Sequence, residues 1–287
     1  MPLALLLTMS VAATSCLDDL DRFPTNDTTS EKVYATFQGY KEVMAKVYGS
    51  YSQVGNDLAS KDDITMGDGA SADFLRCFFN LQCLTTEEAI CTWTDSGIPD
   101  LNFMNWSSNN TFISGLYYRA LYQIALVNEF LRESTESKVS GRGITGNDAT
   151  EIKYFRAEAR FLRAFQYWVL MDVYGNPPFV DENTPIGKFL PSQIKRTDLF
   201  KYIELELLEV QDLLKAPHSN EYGRADQAAC WALMARMYLN AEVYTGTKKY
   251  SEAITYASKV IGAGYTLKEN FSELFMADNN VNNPEVI

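Results

Sequence analysis

The fold is decided by residues 225–262, which read ADQAACWALMARMYLNAEVYTGTKKYSEAITYASKVIG. Two helical patterns follow one another here, the first over residues 225–244 and the second over residues 250–261. Small and aromatic residues recur as in a tetratricopeptide repeat, at Ala228, Leu233, Ala235 and Tyr238 and then at Tyr250, Ala253, Ile254 and Ala257. Small residues let two helices approach closely, while aromatic residues fill the space beside the crossing. The stretch therefore predicts a packed pair of helices.

Four further helices are predicted by apolar residues spaced alternately by three and four. The first carries Val33, Phe37, Tyr40, Met44, Val47 and Tyr51, and the second carries Ile113, Tyr117, Ala120, Ile124, Val127 and Leu131. A third opens on a capping box from Asp148 to Glu151 and runs to Tyr174, before Gly175 and Pro177. A fourth starts at Thr197 and carries Leu199, Ile203, Leu207, Val210 and Leu214. The predicted fold class is mainly all-α, a tetratricopeptide-like helical-repeat scaffold.

A long stretch without sustained periodicity, residues 55–110, separates the first two of these four helices. A loop of this length in a compact domain is usually functional or disordered. Its aromatic content argues against disorder, since it includes Phe74, Phe78, Phe79, Trp93, Phe103 and Trp106. We therefore predict a loop-rich insertion that contains a ligand-binding site.

The amino terminus has the features of a secretory signal peptide over residues 1–15. Its apolar part, Leu3 to Ala13, is too short to cross a bilayer as a helix. Cys16 follows small residues as in a bacterial lipobox, and we expect it to carry acyl chains at the head of a polar tether over residues 16–30. The alternative is a simple secretory peptide in which Cys16 has no role.

Composition and charge exclude several functions. Asp and Glu outnumber Lys and Arg by 37 to 25, and the net charge of −12 argues against a nucleic-acid partner or an anionic membrane surface. The only histidine, His218, is predicted to be an exposed loop residue, which excludes most His-based catalytic or metal sites. Glu87 and Glu88 are adjacent, and no motif pairs either with a second carboxylate across a cleft. We expect no catalytic residues and no cofactor.

Three cysteines of the insertion, Cys77, Cys83 and Cys91, have a spacing that matches no standard zinc pattern. We predict no metal site. A disulfide between Cys77 and Cys83 and a set of buried thiols both remain open. Cys230 lies in a helical pattern and is predicted to pack in the core.

The insertion contains several residues whose side chains are suited to binding a sugar. Asp68, Asp73 and Arg76 come first, and Trp93 and Asp95 follow. A pyranose ring stacks its apolar face on an indole, while its hydroxyls accept hydrogen bonds from Arg and donate to Asp. The alternative is that Trp93 lies in the core and Arg76 pairs with Asp73 on the surface. Composition alone favours that alternative.

Several stretches resemble the RagB/SusD family. They are SADFLR at 71–76, LTTEE at 84–88 with Trp93, RFLRA at 160–164, GRAD at 223–226, ARMYLNA at 235–241 with VYTG at 243–246, YASKVIG at 256–262 and SELFMADN at 272–279. Their order carries the resemblance, which runs from Cys16 to the last residues. It implies a lipoprotein on the exterior of the outer membrane, with one helical domain over residues 31–287. It also implies an oligosaccharide ligand and a TonB-dependent SusC-like transporter as partner.

The resemblance further implies roles for individual residues. By alignment with starch-binding members, Trp93 is a stacking aromatic, Arg76 and Asp68 are polar contacts, and the family's binding asparagine falls at Asp95 or Ser96. A starch-like α-glucan is therefore the expected ligand, captured without chemistry. The alternative is a helical-repeat scaffold subunit that makes no contact with glycan.

Two departures from the family's pattern lie towards the end of the chain. Family members continue past the position of Ile287, so an incomplete carboxyl-terminal part is expected. Near the position of Asn280 the starch-binding members resemble calcium-binding proteins. This chain has an asparagine in place of the matching carboxylate residue, so calcium is not expected.

Overall fold

The computed structural model describes residues 29–52, 63–64, 72–187, 189–281 and 283–287. The predicted signal peptide, Cys16, most of the tether and Asp68 lie outside these residues. The division of the chain into signal peptide, tether and helical domain therefore stays a prediction.

The described residues form eleven α-helices and contain no β-strand, which confirms the predicted mainly all-α fold. In chain order they are α1 (Ser30–Val33), α2 (Phe37–Gly49), α3 (Phe74–Cys83), α4 (Ile98–Asn102), α5 (Thr111–Glu133), α6 (Glu136–Gly141), α7 (Gly146–Tyr174), α8 (Arg196–Val210), α9 (Gln227–Leu239), α10 (Ala241–Thr245) and α11 (Tyr250–Gly262). A 3₁₀ helix over Phe271–Phe275 follows. No helix in the described part of the chain is both long and apolar enough to cross a membrane.

The core is organised around α5 and α7, the two longest helices, which pack against each other along apolar stripes. Helix α2 packs on both members of this pair, α3 packs on α5, and α8 packs on α7. The predicted repeat pair is confirmed as α9 and α11, because Leu233 and Tyr238 of α9 and Ala253 of α11 are buried where the two helices meet. Burial of these side chains removes apolar surface from water and stabilises the stack.

Two predicted helices are each divided in the structure. The pattern from Val33 to Tyr51 breaks between α1 and α2, where the Thr36 hydroxyl accepts a hydrogen bond from the Gly39 amide at 3.3 Å. A Cβ atom at Gly39 would lie 1.7 Å from the Val33 carbonyl oxygen, so only glycine permits this close return of the chain. Similarly, the pattern over residues 225–244 is interrupted at Asn240, whose side-chain amide donates to the Arg236 carbonyl at 2.9 Å.

Helix α7 ends where the sequence predicts, but it begins earlier than predicted. The expected capping box at Asp148 is wrong, because the helix already begins at Gly146 with Thr145 in the N-cap position, and Asp148 lies within the first turn. There its charge still favours the positive end of the helix dipole. The predicted end is confirmed: α7 stops at Tyr174, and Gly175 follows with φ +77°.

Two of the motifs that carry the family resemblance are structural. In RFLRA, the Arg160 and Arg163 guanidiniums both donate to the Glu206 carboxylate, at 2.6 and 3.1 Å, and so join α7 to α8. In GRAD, the Asp226 carboxylate caps α9 by accepting hydrogen bonds from the amides of Ala228 and Ala229. These motifs therefore fix how successive helices meet.

Candidate functional site

The candidate site begins at α3, a helix that the sequence pattern did not reveal. Its N-cap is Asp73, whose carboxylate accepts a hydrogen bond from the Arg76 amide at 2.7 Å. Phe74 and Cys77 are buried in the core, where α3 packs on α5. In this orientation of the helix Arg76 lies at the edge of the contact between α3 and α5. Asp73 thus caps a helix, a role different from the surface pairing with the Arg76 guanidinium that composition suggested.

The Arg76 side chain is held between a ring and a carboxylate. Its guanidinium lies over the Phe112 ring, 5.3 Å from the centroid, and 3.9 Å from the Asp95 carboxylate. A distance of 3.9 Å exceeds a direct hydrogen bond, so a water molecule or a ligand hydroxyl can bridge the two groups. The pair is partly exposed, with side-chain exposures of 25% and 52%, and contributes under about 1 kcal/mol to stability.

The loop that carries Trp93, Asp95 and Ser96 is fixed by hydrogen bonds at both ends. At its start, the Asn102 side chain donates to the Cys91 carbonyl at 2.6 Å and accepts from the Cys91 amide at 3.4 Å. At its end, the Thr111 hydroxyl donates to the Ser96 carbonyl at 3.0 Å. Both ends of the loop are therefore tied to neighbouring helices.

Gly97 closes this loop in a conformation that other residues rarely adopt. Its φ is +92°, and the buried Asn110 amide donates to its carbonyl at 3.0 Å. A Cβ atom here would lie 2.9 Å from the Thr111 hydroxyl and 3.1 Å from the Phe112 ring. Glycine is thus required both by the backbone conformation and by the lack of space.

Trp93 is 63% exposed, so the alternative that placed it in the core is wrong. Its indole stands on the surface within the fixed loop, and Asp95 and Ser96 beside it are also exposed. The same segment exposes other large apolar side chains, including Ile90, Phe103 and Trp106. Several large apolar side chains exposed in one segment are unusual for a surface that contacts only solvent, and they are typical of a binding region.

The structure thus brings Arg76 close to Asp95, which lies on the same loop as Trp93 and Ser96. Asp68, the remaining predicted site residue, lies outside the described residues. Sequence reasoning missed Asn102, Asn110 and Thr111, which hold the loop in place. Asn110 left a signal, since an asparagine directly before the helical pattern of α5 is a favoured N-cap.

None of the cysteines in the described residues forms a disulfide. The disulfide alternative for Cys77 and Cys83 is therefore wrong, and the reason is geometric: both lie on α3, where six residues rise by about 9 Å, beyond the reach of a disulfide. Cys77 and Cys230 are buried, and burial raises the pKa of each thiol to about 12. His218 is exposed in a loop, as predicted.

The fold and its packed helix pair define a helical-repeat protein. A family model described as "Starch-binding associating with outer membrane" matches residues 20–239, and the chain belongs to this SusD-like family.

Among sequence relatives, the chain is 38% identical to the starch-binding protein SusD of Bacteroides thetaiotaomicron over 281 residues. That match covers 97% of this chain and 48% of the relative. A SusD-like protein of Bacteroides ovatus is 22% identical, again with 48% of its length covered. The chain therefore spans about half the length of these relatives.

Solved structures share the fold. Surface glycan-binding protein A from Bacteroides uniformis superimposes with a TM-score of 0.63 at 19% identity, over 86% of this chain and 50% of that one. A laminarin-binding SusD-like protein gives 0.61, also at 19% identity, over 85% and 49%. At such identities the likeness concerns the arrangement of helices alone.

Proposed function

We propose that this chain is the ligand-binding part of a non-catalytic surface lipoprotein that captures a starch-like α-glucan. In this proposal Cys16 carries the lipid anchor on the outer face of the outer membrane, and a TonB-dependent SusC-like transporter receives the glycan. The observation that carries the proposal is the exposed Trp93 indole on a fixed loop beside the Arg76–Asp95 pair. The 38% identity to a starch-binding protein supports the choice of ligand.

Binding follows from the chemistry of these groups. The Trp93 indole offers an apolar face to the C–H face of a glucose ring. The Arg76 guanidinium donates to a ring hydroxyl, which in turn donates to the Asp95 carboxylate across the 3.9 Å gap, and the exposed Ser96 hydroxyl can add a further contact. Asp68 is included from the family alignment. A hydrogen bond to a charged group contributes about 1.5–3 kcal/mol net, so affinity depends on several contacts acting together.

Affinity electrophoresis through an amylopectin gel tests the assigned residue. Trp93→Ala should abolish the retardation of the protein by the polysaccharide. Tyr222→Ala is the matched control, since Tyr222 is 67% exposed in a loop before α9, and it should leave the retardation unchanged. Normal retardation of the Trp93→Ala variant would refute the site.

The membrane part of the proposal has separate tests. Cells given a radioactive fatty acid should label the protein, and Cys16→Ala should remove the label. A large outer-membrane transporter should copurify with the anchored protein. Copurification of that transporter together with no binding to any glycan on an array would instead support the scaffold alternative.

A further inference from the structure

A cleft of about 420 Å³ lies between α3, α4 and the end of α7, and the proposed site does not use it. Trp106 forms one wall, with its side chain 44% exposed. Gln82 reaches the cleft from α3, Thr85 from the turn that follows α3, and Asp172 from α7. The volume falls within the range of sites that hold small ligands.

Asp172 is held in a defined position within this cleft. One carboxylate oxygen accepts a hydrogen bond from the Gln82 side-chain amide at 3.0 Å, and the other accepts from the Tyr244 hydroxyl at 2.7 Å. Each carboxylate oxygen has a further acceptor position. Both of these donors are neutral, and a ligand hydroxyl that donates to a carboxylate forms a stronger, charge-assisted hydrogen bond.

The other groups of the cleft suit the same kind of ligand. The Thr85 hydroxyl donates to the Leu81 carbonyl at 2.7 Å, which leaves its oxygen as an acceptor. The Trp106 indole supplies an aromatic face, and the half-buried Ile113 adds apolar surface. An aromatic face combined with hydroxyl acceptors matches a neutral ring that carries hydroxyls, whereas the fixed carboxylate disfavours an anion.

The cleft is also close to the proposed site along one rigid element. Arg76 and Gln82 lie six residues apart on α3, a rise of about 9 Å. The Trp93 loop and the Trp106 segment flank the same short helix, α4. The Arg76 and Gln82 side chains leave the helix about 120° apart, so only an oligosaccharide long enough to curve around α3 can contact both places.

We infer that this cleft is an additional subsite for the same glycan chain, with Trp106 as its stacking residue and Asp172 as its hydroxyl acceptor. The inference rests on the proposed function, and it predicts that longer oligosaccharides gain affinity from Trp106. Loss of one aromatic stacking contact should cost about tenfold in Kd.

Titration calorimetry with maltose and maltoheptaose tests the subsite. Trp106→Ala should weaken maltoheptaose binding about tenfold and leave maltose, held at Trp93, within twofold of the wild type. Trp106→Phe should restore part of the loss, because a smaller ring still stacks. Asp172→Asn, which keeps an acceptor for Tyr244, should weaken maltoheptaose binding severalfold and is the second variant should Trp106→Ala fail to fold.

Unchanged maltoheptaose affinity in folded Trp106→Ala and Asp172→Asn variants would overturn the subsite. An equal loss for both sugars would overturn it as well, because the effect would then lie in the Trp93 site. If the wild-type protein binds neither sugar, the proposed function fails and the subsite fails with it. If the wild type binds both sugars and the two variants bind them equally well, the subsite is refuted and the proposed function stands.

Discussion

The Arg224 guanidinium donates to both oxygens of the Glu158 carboxylate, at 2.5 and 3.1 Å, although Glu158 is only 1% exposed. The Tyr48 hydroxyl donates to the same carboxylate at 2.7 Å, and the Asn220 amide donates at 3.3 Å. One buried charge on α7 therefore joins that helix to α2 and to the loop before α9, the two parts of the chain that supply its hydrogen bonds.

Arg224→Met should destabilise the protein strongly, because the Glu158 carboxylate then stays buried without the guanidinium that balances its charge. Breaking one partner of a buried ion pair typically costs about 3–5 kcal/mol. Urea unfolding measures this loss. Lys153→Met is the control, since Lys153 and Glu136 form a pair with exposures of 70% and 86% and should contribute under about 1 kcal/mol. Equal losses for the two variants would contradict the role assigned to burial.

Glu133 should make stability depend on acidic pH. Burial alone raises its pKa, but hydrogen bonds and charges from Lys138 and Arg142 outweigh burial, and the net pKa is lowered. A carboxyl with a lowered folded pKa stabilises the fold above its unfolded value of about 4.3 and loses this contribution as pH falls through the folded pKa. Glu133→Gln should therefore destabilise the protein at pH 7 and less at pH 3.

Urea unfolding at the two pH values gives the comparison for Glu133→Gln and the wild type. Glu136→Gln provides a reference, because Glu136 is highly exposed and should change stability little at either pH. If Glu133→Gln destabilises the protein equally at pH 3 and pH 7, the ionised Glu133 carboxylate does not contribute to stability as stated.

Gly97→Ala should disturb the Trp93 loop. The positive φ alone costs an alanine about 1–3 kcal/mol, and contacts with Thr111 and Phe112 add to that cost. We expect lower stability in urea and weaker retardation by amylopectin. Gly143→Ala is the matched control, because Gly143 has φ +74° but open space around it, so it should lose stability without losing retardation. Retained retardation in Gly97→Ala would separate the loop from ligand binding.

The thiols should differ in reactivity. Cys77 and Cys230 are buried with a raised pKa, and the thiolate is the reactive form, so neither should be alkylated in the folded protein at pH 8. Cys83 and Cys91 are half-buried and should react. Mass spectrometry after iodoacetamide treatment, with and without urea, locates the labels. Labelling of Cys77 without urea would indicate that α3 opens readily.

The long helices could be predicted from sequence because each has an apolar stripe that the packed core then buries. The breaks at Thr36 and Asn240 could not, since they depend on side-chain hydrogen bonds that leave the apolar spacing almost unchanged. Helix α3 was missed for a different reason. Its ten residues make fewer than three helical turns, which is too short for the sustained apolar repeat by which the longer helices were predicted.

The candidate site could be predicted only as a set of residue types. Indole, guanidinium and carboxylate groups indicated a sugar site, but the exposure of Trp93 depends on how its loop is held. That loop is fixed by Asn102, Asn110 and Thr111, whose roles follow from tertiary contacts that no local pattern encodes.

The clamped ends of the Trp93 loop have a thermodynamic consequence. Because Asn102 holds the Cys91 backbone and Asn110 holds the Gly97 carbonyl, the loop has its shape before anything docks on it. A molecule that arrives there meets a preorganised surface, and little conformational entropy is lost on association. Weak individual contacts can then add up to a useful affinity, because little of their free energy is consumed in ordering the chain beneath them.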